Sequence, residues 1–217
     1  MKLECKHIKG KTSKAVVLFH GYGADMNDLA PLHQYLDPQG EWHWYFPNGQ
    51  LRLDFGGRAW FPINMAELER AMQLGTHRDF SGAASPEFGV AIEVMESFLK
   101  EISAQHPQLV IGGFSQGAMG ASHLAARKNI ALKGLVLLSS TLVDRAALEN
   151  YPTQDLPFFQ SHGDSDPLLG AKAAQNLFDV LSAKGLEGIW TPFRGGHEIP
   201  MPVLNGLRSF LDKILKT

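Results

Sequence analysis

Cysteine is almost missing from this chain of 217 residues: Cys5 stands alone. One thiol excludes an internal disulfide framework and fits a reducing compartment, so the expected location is the cytoplasm. Cys5 has no motif around it, and a buried strand thiol explains it better than a nucleophile. Long apolar runs are also lacking. Nothing approaches the length needed to span a bilayer, and Met1 to Lys6 lacks the apolar core of a signal peptide, which argues against stable membrane insertion. Charge of one sign is missing too. A net charge of −2 offers no basic field for nucleic acid or an anionic membrane. What remains is 44% hydrophobic and 19% charged residues, the balance of a soluble globular protein. No repeat, linker or composition break divides it, so residues 1–217 are expected to form a single α/β domain.

The apolar segments set the architecture. Ala15 to Phe19, Trp42 to Phe46, Leu109 to Ile111, Gly134 to Leu138, Pro157 to Ser161 and Glu187 to Phe193 read as strands, mostly apolar on both faces, with residues 3–9 as a leading edge strand. Helical patterns alternate with them. One follows Asp25 or Asn27 as a cap, with Leu29, Leu32, Tyr35 and Leu36 at helical spacing. Another starts at Ser85-Pro86 and carries Phe88, Ile92, Met95, Leu99 and Ile102 on one face. A third, with Ala171, Ala174, Leu177, Phe178 and Leu181, stops at Gly185, and a last amphipathic helix covers Val203 to Ile214. The alternation predicts a mostly parallel central sheet with helices on both faces. Residues 47–84 are the least regular stretch. Met65, Leu68, Met72 and Leu74 within it lie at helical spacing and read as core rather than lid.

In such a sheet, functional residues gather where strands end. Four strand ends carry reactive types. The first is Gly113-Phe114-Ser115-Gln116-Gly117, a strand that turns sharply into a helix with a serine at the apex. With 22 glycines and 13 serines, Gly-x-Ser-x-Gly arises by chance about 0.1 times in a chain this long, so its strand-and-helix context carries the weight. The others are His20-Gly21-Tyr22-Gly23, His162-Gly163-Asp164-Ser165-Asp166-Pro167, and Gly195-Gly196-His197-Glu198. A serine hydroxyl attacks a carbonyl only when a base removes its proton, and the base needs a carboxylate to fix its tautomer. The order Ser115, Asp166, His197 suits a nucleophile at a strand-to-helix elbow. Asp164 competes with Asp166; a turn-capping role suits Asp164 better. His162-x-Asp164-x-Asp166 also has the look of metal ligands, but no fourth ligand at suitable spacing joins it. His20 and His162 are expected to shape their loops, and His197 to act as base. Two backbone donors complete an oxyanion hole: the amides of Tyr22 and Gln116.

With these residues in place, the chain resembles the α/β-hydrolase superfamily. Within it, the chain is similar to the phospholipase/carboxylesterase family of small carboxylesterases and acyl-protein thioesterases. His20 to Asp25, Arg58-Ala59-Trp60-Phe61, Gly113 to Ala118, His162 to Leu168 and Gly196-His197 carry the resemblance across about residues 15–200. It implies an α/β-hydrolase fold and a serine esterase acting on short- to medium-chain esters through Ser115, Asp166 and His197. It also implies Trp60 and Leu168 lining the acyl groove, and no cofactor or metal. Thioesters on proteins or lysophospholipids are the alternative substrates, a non-catalytic ligand-binding protein is the alternative class, and a homodimer is the candidate assembly. Two departures stand out. Tyr22 occupies a position where many members carry leucine, and residues 65–85 match no family loop.

Overall fold

Because the apolar strands have no polar face, both sides of the sheet they form must be covered. The computed structural model describes residues 3–215. In chain order its elements are β1 (Cys5–Ile8), β2 (Lys14–Phe19), α1 (Leu32–Leu36), β3 (His43–Pro47), β4 (Leu51–Arg52), β5 (Arg58–Ala59), α2 (Met65–Gln73) and α3 (Pro86–Ser103). Next come β6 (Gln108–Phe114), α4 (Gln116–Arg127), β7 (Gly134–Leu138), α5 (Arg145–Asn150), β8 (Pro157–Gly163), α6 (Ala171–Ala183), β9 (Glu187–Phe193) and α7 (Met201–Leu215). Seven strands make one sheet in the order β1-β3-β2-β6-β7-β8-β9, and β4 with β5 make a separate two-stranded hairpin. Every neighbouring pair in the main sheet is parallel except β1 with β3, where Cys5 faces Pro47 and Ile8 faces Trp44.

Alternate residues of each central strand feed opposite cores. Val17 and Phe19 of β2, Leu109 and Ile111 of β6, and Leu135 and Leu137 of β7 point to the face covered by α3, α4 and α6. Val16 and Leu18, Val110, and Val136 and Leu138 point to the face covered by α1 and α7. The expected mostly parallel sheet with helices on both faces is therefore present. The helix over 86–103 begins as its sequence requires: Ser85 Oγ accepts from the Phe88 amide at 3.3 Å, and Pro86 occupies the first turn. Helix α6 ends at a left-handed Gly185 with φ +90°. None of the helices among the described residues is long and apolar enough to cross a membrane.

Two local expectations fail. The first helix is five residues long and begins after Pro31, not at Asp25 or Asn27. Proline disfavours a helical residue before it, and the Asp25 carboxylate instead closes a turn on the Asn27 amide at 2.7 Å. Helix α2 exists, but it is not core. None of its residues is buried, and Met72 and Leu74 are 45% and 68% exposed. The irregular stretch before it holds the β4–β5 hairpin, whose two-residue strands have no readable periodicity.

Candidate active site

The central strand β6 ends in Phe114, and α4 begins at Gln116. Ser115 between them has φ +52° and ψ −118°, a conformation that costs a non-glycine residue roughly 1–3 kcal/mol. The neighbours hold it there. Its amide donates to the Leu138 carbonyl at 2.9 Å, and its own carbonyl accepts from the Met119 amide at 3.1 Å. The flanking glycines are steric necessities. A methyl at Gly113 would stand 2.5 Å from the Phe19 carbonyl oxygen, and one at Gly117 only 2.1 Å from it. The end of β2 and the start of α4 can approach this closely only without side chains.

Gln116 joins the turn to the segment after the hairpin. Its fully buried amide side chain accepts from the Trp60 amide at 2.9 Å and donates to the Phe61 carbonyl at 2.7 Å. Its backbone N–H lies in the first turn of α4, where the helix supplies no acceptor. On the other side, the loop after β2 is pinned to the hairpin. Gly23 N donates to the Arg58 carbonyl at 2.9 Å, and Arg58 N donates to the Ala24 carbonyl at 2.7 Å. Gly57 permits this contact, since a methyl there would meet the Gly23 carbonyl oxygen at 2.0 Å. His20 shapes the same loop. Its Nδ1–H donates to Gly21 O at 2.7 Å, its Nε2 accepts from the Gly49 amide at 2.9 Å, and burial pushes its pKa down.

The loops after β8 and β9 meet across another glycine. A methyl at Gly163 would stand 2.2 Å from the Gly196 carbonyl oxygen. Asp164 ties the two loops together: its amide donates to Phe193 O at 2.9 Å, and its Oδ1 accepts from the Gly195 amide at 3.3 Å. Asp166 has different partners. Its side chain is fully buried, Oδ1 accepts from the amides of Leu168 and Leu169 at 2.8 and 3.0 Å, and Oδ2 accepts from His197 Nδ1 at 2.6 Å. Burial raises the Asp166 carboxyl, but the His197 and backbone hydrogen bonds outweigh it and hold the pKa below the usual carboxylate range. His162 stands behind the acid. Its Nε2–H donates to the Leu169 carbonyl at 2.8 Å, burial pushes its pKa down, and its Nδ1 is buried without a hydrogen-bond partner.

The arrangement fixes which nitrogen of His197 is basic. With Nδ1–H given to Asp166, Nε2 carries the free lone pair. The imidazole packs 4.7 Å, centre to centre, from the Phe114 ring, beside the serine. Ser115, His197, Gly21 and Tyr22 border a single cavity of about 260 Å³. Its remaining wall is apolar: Ile63, Met65, Leu68, Phe80, Phe114, Met119, Leu168 and Leu169. Ser115, His197, Tyr22 and Leu168 thus come together, with Asp166 directly behind His197. Trp60 does not. It is 1% exposed and lies off the cavity wall, its indole N–H given to the His20 carbonyl at 2.9 Å, so it supports the loop and does not line the groove. Sequence reasoning missed Ile63, Phe80 and Met119, and assigned Met65 and Leu68 to the core. The helical spacing of Met65 and Leu68 was the available signal, read toward the wrong neighbour.

A family model described as phospholipase/carboxylesterase matches residues 2–215. The chain is similar to acyl-protein thioesterase 1 of Saccharomyces cerevisiae, 28% identical over 221 residues that cover 94% of each chain. It is also similar to acyl-protein thioesterase 1 of Neurospora crassa, 36% identical over 126 residues; that match takes in 54% of this chain and spans about half, 51%, of the fungal protein. Among solved structures, esterase PE8 superposes with a TM-score of 0.83 at 26% identity, covering 99% of this chain and 100% of the other. The Bacillus cereus carboxylesterase shares the fold, with a TM-score of 0.77 at 21% identity over 98% of this chain and 94% of that one.

Proposed function

The chain belongs to the phospholipase/carboxylesterase family, a hydrolase family of the α/β-hydrolase fold, and from that premise we propose that it is a serine carboxylesterase for short- to medium-chain esters. The observation that carries the reading is the 2.6 Å hydrogen bond from His197 Nδ1 to the buried Asp166, on a histidine that shares its cavity with a strained, glycine-flanked serine. His197 Nε2 takes the Ser115 proton as Oγ bonds to the ester carbonyl carbon. The carbonyl oxygen becomes an oxyanion held by the amides of Tyr22 and Gln116. Asp166 stabilises the imidazolium formed in this step. As the carbon–oxygen bond to the leaving group breaks, the imidazolium protonates the departing alcohol. Water then loses a proton to the same nitrogen as its oxygen bonds to the acyl carbonyl carbon. As the carbon–Oγ bond breaks, the imidazolium returns that proton to Ser115 Oγ, releasing the carboxylic acid.

The apolar wall of Met65, Leu68, Phe80, Leu168 and Leu169 supports an aliphatic acyl group. A thioester is the second reading, supported by the relatives named acyl-protein thioesterase 1. The same steps apply with a thiol leaving. Purified Ser115→Ala is expected to hydrolyse a nitrophenyl ester at least about 10⁴-fold more slowly than the parent. Full retained turnover would refute the mechanism. Rates on short esters, acyl-cysteine peptides and lysophospholipid micelles rank the substrate classes.

A further inference from the structure

Helix α2 supplies two residues of the cavity wall, Met65 and Leu68, yet buries none of its own side chains. The segment that leads on to α3 is tied to it by an ion pair. After the helix the chain turns at Gly75, φ +64°, and reaches His77, Arg78 and Phe80. Arg78 Nε lies 3.1 Å from Glu67 Oε2 of the helix, and its guanidinium stands 4.6 Å over the Phe80 ring, which is also cavity wall. His77 reaches the other way. Its Nε2–H donates to the backbone carbonyl of Asp166 at 2.9 Å, and its ring lies against Gly170, where a methyl would come within 3.0 Å of Nδ1. One short run of chain thus grips the wall of the cavity with Arg78 and Phe80, and the loop that carries the acid with His77. The acid loop touches the cavity as well, through Leu168 and Leu169, whose amides hold the Asp166 carboxylate.

We propose that His77 is a positioning residue that links occupancy of the acyl cavity to the alignment of Asp166. The inference rests on the esterase reading above. A medium-length acyl chain such as octanoyl packs on Met65, Leu68 and Phe80 and fixes their segment. Through His77 the same segment holds the Asp166 carbonyl and, with it, the loop that aims the carboxylate at His197. Contacts made by remote parts of a substrate then show in turnover rather than in binding alone. An acetyl group, which does not extend along the wall, gains nothing from the link.

The test compares kcat on nitrophenyl octanoate and nitrophenyl acetate for the parent, His77→Ala and His77→Gln. The expected result for His77→Ala is a fall of about fivefold in the octanoate-to-acetate ratio of kcat, the size of one lost hydrogen bond. KM for octanoate should change little. His77→Gln keeps a donor at a similar reach and should restore the ratio. Gly170→Ala presses on the ring without deleting it and should lower the same ratio, which keeps the test valid if His77→Ala folds poorly. An unchanged ratio in His77→Ala, or an equal loss on both esters that Gln does not restore, overturns the proposal. Fluorophosphonate labelling of Ser115 in each variant reports separately on the esterase reading.

Discussion

Asp166 and His197 stand 2.6 Å apart because Gly163 has no side chain: their two loops touch at the place where a methyl would overlap the Gly196 carbonyl. The acid also accepts two backbone amides on the oxygen that His197 does not use. Asp166→Asn preserves an acceptor for those amides but can no longer hold the Nδ1–H tautomer of the base. The expected result is a fall in kcat of about 10⁴-fold with a folded protein of near-parental melting temperature. Ester hydrolysis and circular dichroism on the same preparation check it. Activity within tenfold of the parent would remove Asp166 from the proposed mechanism.

Trp60 and Leu68 hold each other's expected roles, one as support and the other as groove wall, and their substitutions should separate accordingly. Trp60→Phe deletes the N–H given to the buried His20 carbonyl and should lower stability by about 1–2 kcal/mol, with no change in acyl-chain preference. Leu68→Ala removes part of the cavity wall from a helix without buried side chains. It should leave stability within about 0.5 kcal/mol and reduce kcat/KM for octanoate about tenfold relative to acetate. Urea midpoints and an ester chain-length series provide the measurements. A shifted chain-length profile in Trp60→Phe would return that residue to the groove.

His123 predicts an acid-dependent loss of stability. Burial pushes its imidazole down to about 4, against the Val143 carbonyl and Asp144, which favour the proton. The unfolded chain protonates near pH 6.5. Between those values the unfolded state binds a proton that the folded state refuses, so the His123 contribution to stability is full above about pH 6.5. That contribution falls by about 1.4 kcal/mol per pH unit until about pH 4. His123→Phe keeps a ring between Phe88 and Tyr151 and should lack this share of the slope, whatever its stability at neutral pH. Parallel urea denaturation curves at pH 7, 6 and 5 decide the matter. Identical slopes in the two proteins would contradict it.

The sequence was legible where one interaction range decides the outcome. Strands buried on both faces, such as Leu135 to Leu138, are apolar because every neighbour is apolar. Helix α3 announces itself through Ser85, Pro86 and a single apolar stripe. The serine turn was readable for a similar reason: Gly113 and Gly117 are demanded by backbone within a few residues and by one adjacent strand. Legibility failed where burial depends on distant partners. Trp60 looks like a groove residue until Gln116 and His20, 56 and 40 positions away in sequence, are seen to hold it behind the cavity. Met65 and Leu68 have core spacing, but the surface they cover is a cavity rather than a packed neighbour. Pro31 was the residue that should have shortened the first helix.

The exposed character of α2 has a consequence for how such an enzyme can diversify. Substitution at Gly117 or Gly113 meets backbone at 2.1–2.5 Å and threatens the whole chain, so the chemistry of the serine turn is locked to the fold. The wall that α2 contributes carries less of that burden, because none of the helix's residues is fully buried. Under the proposed function, mutations there would retune the accepted acyl group at little cost in folding free energy. Catalysis and acyl preference then fall to separate parts of one chain, and the role proposed for His77 would join them.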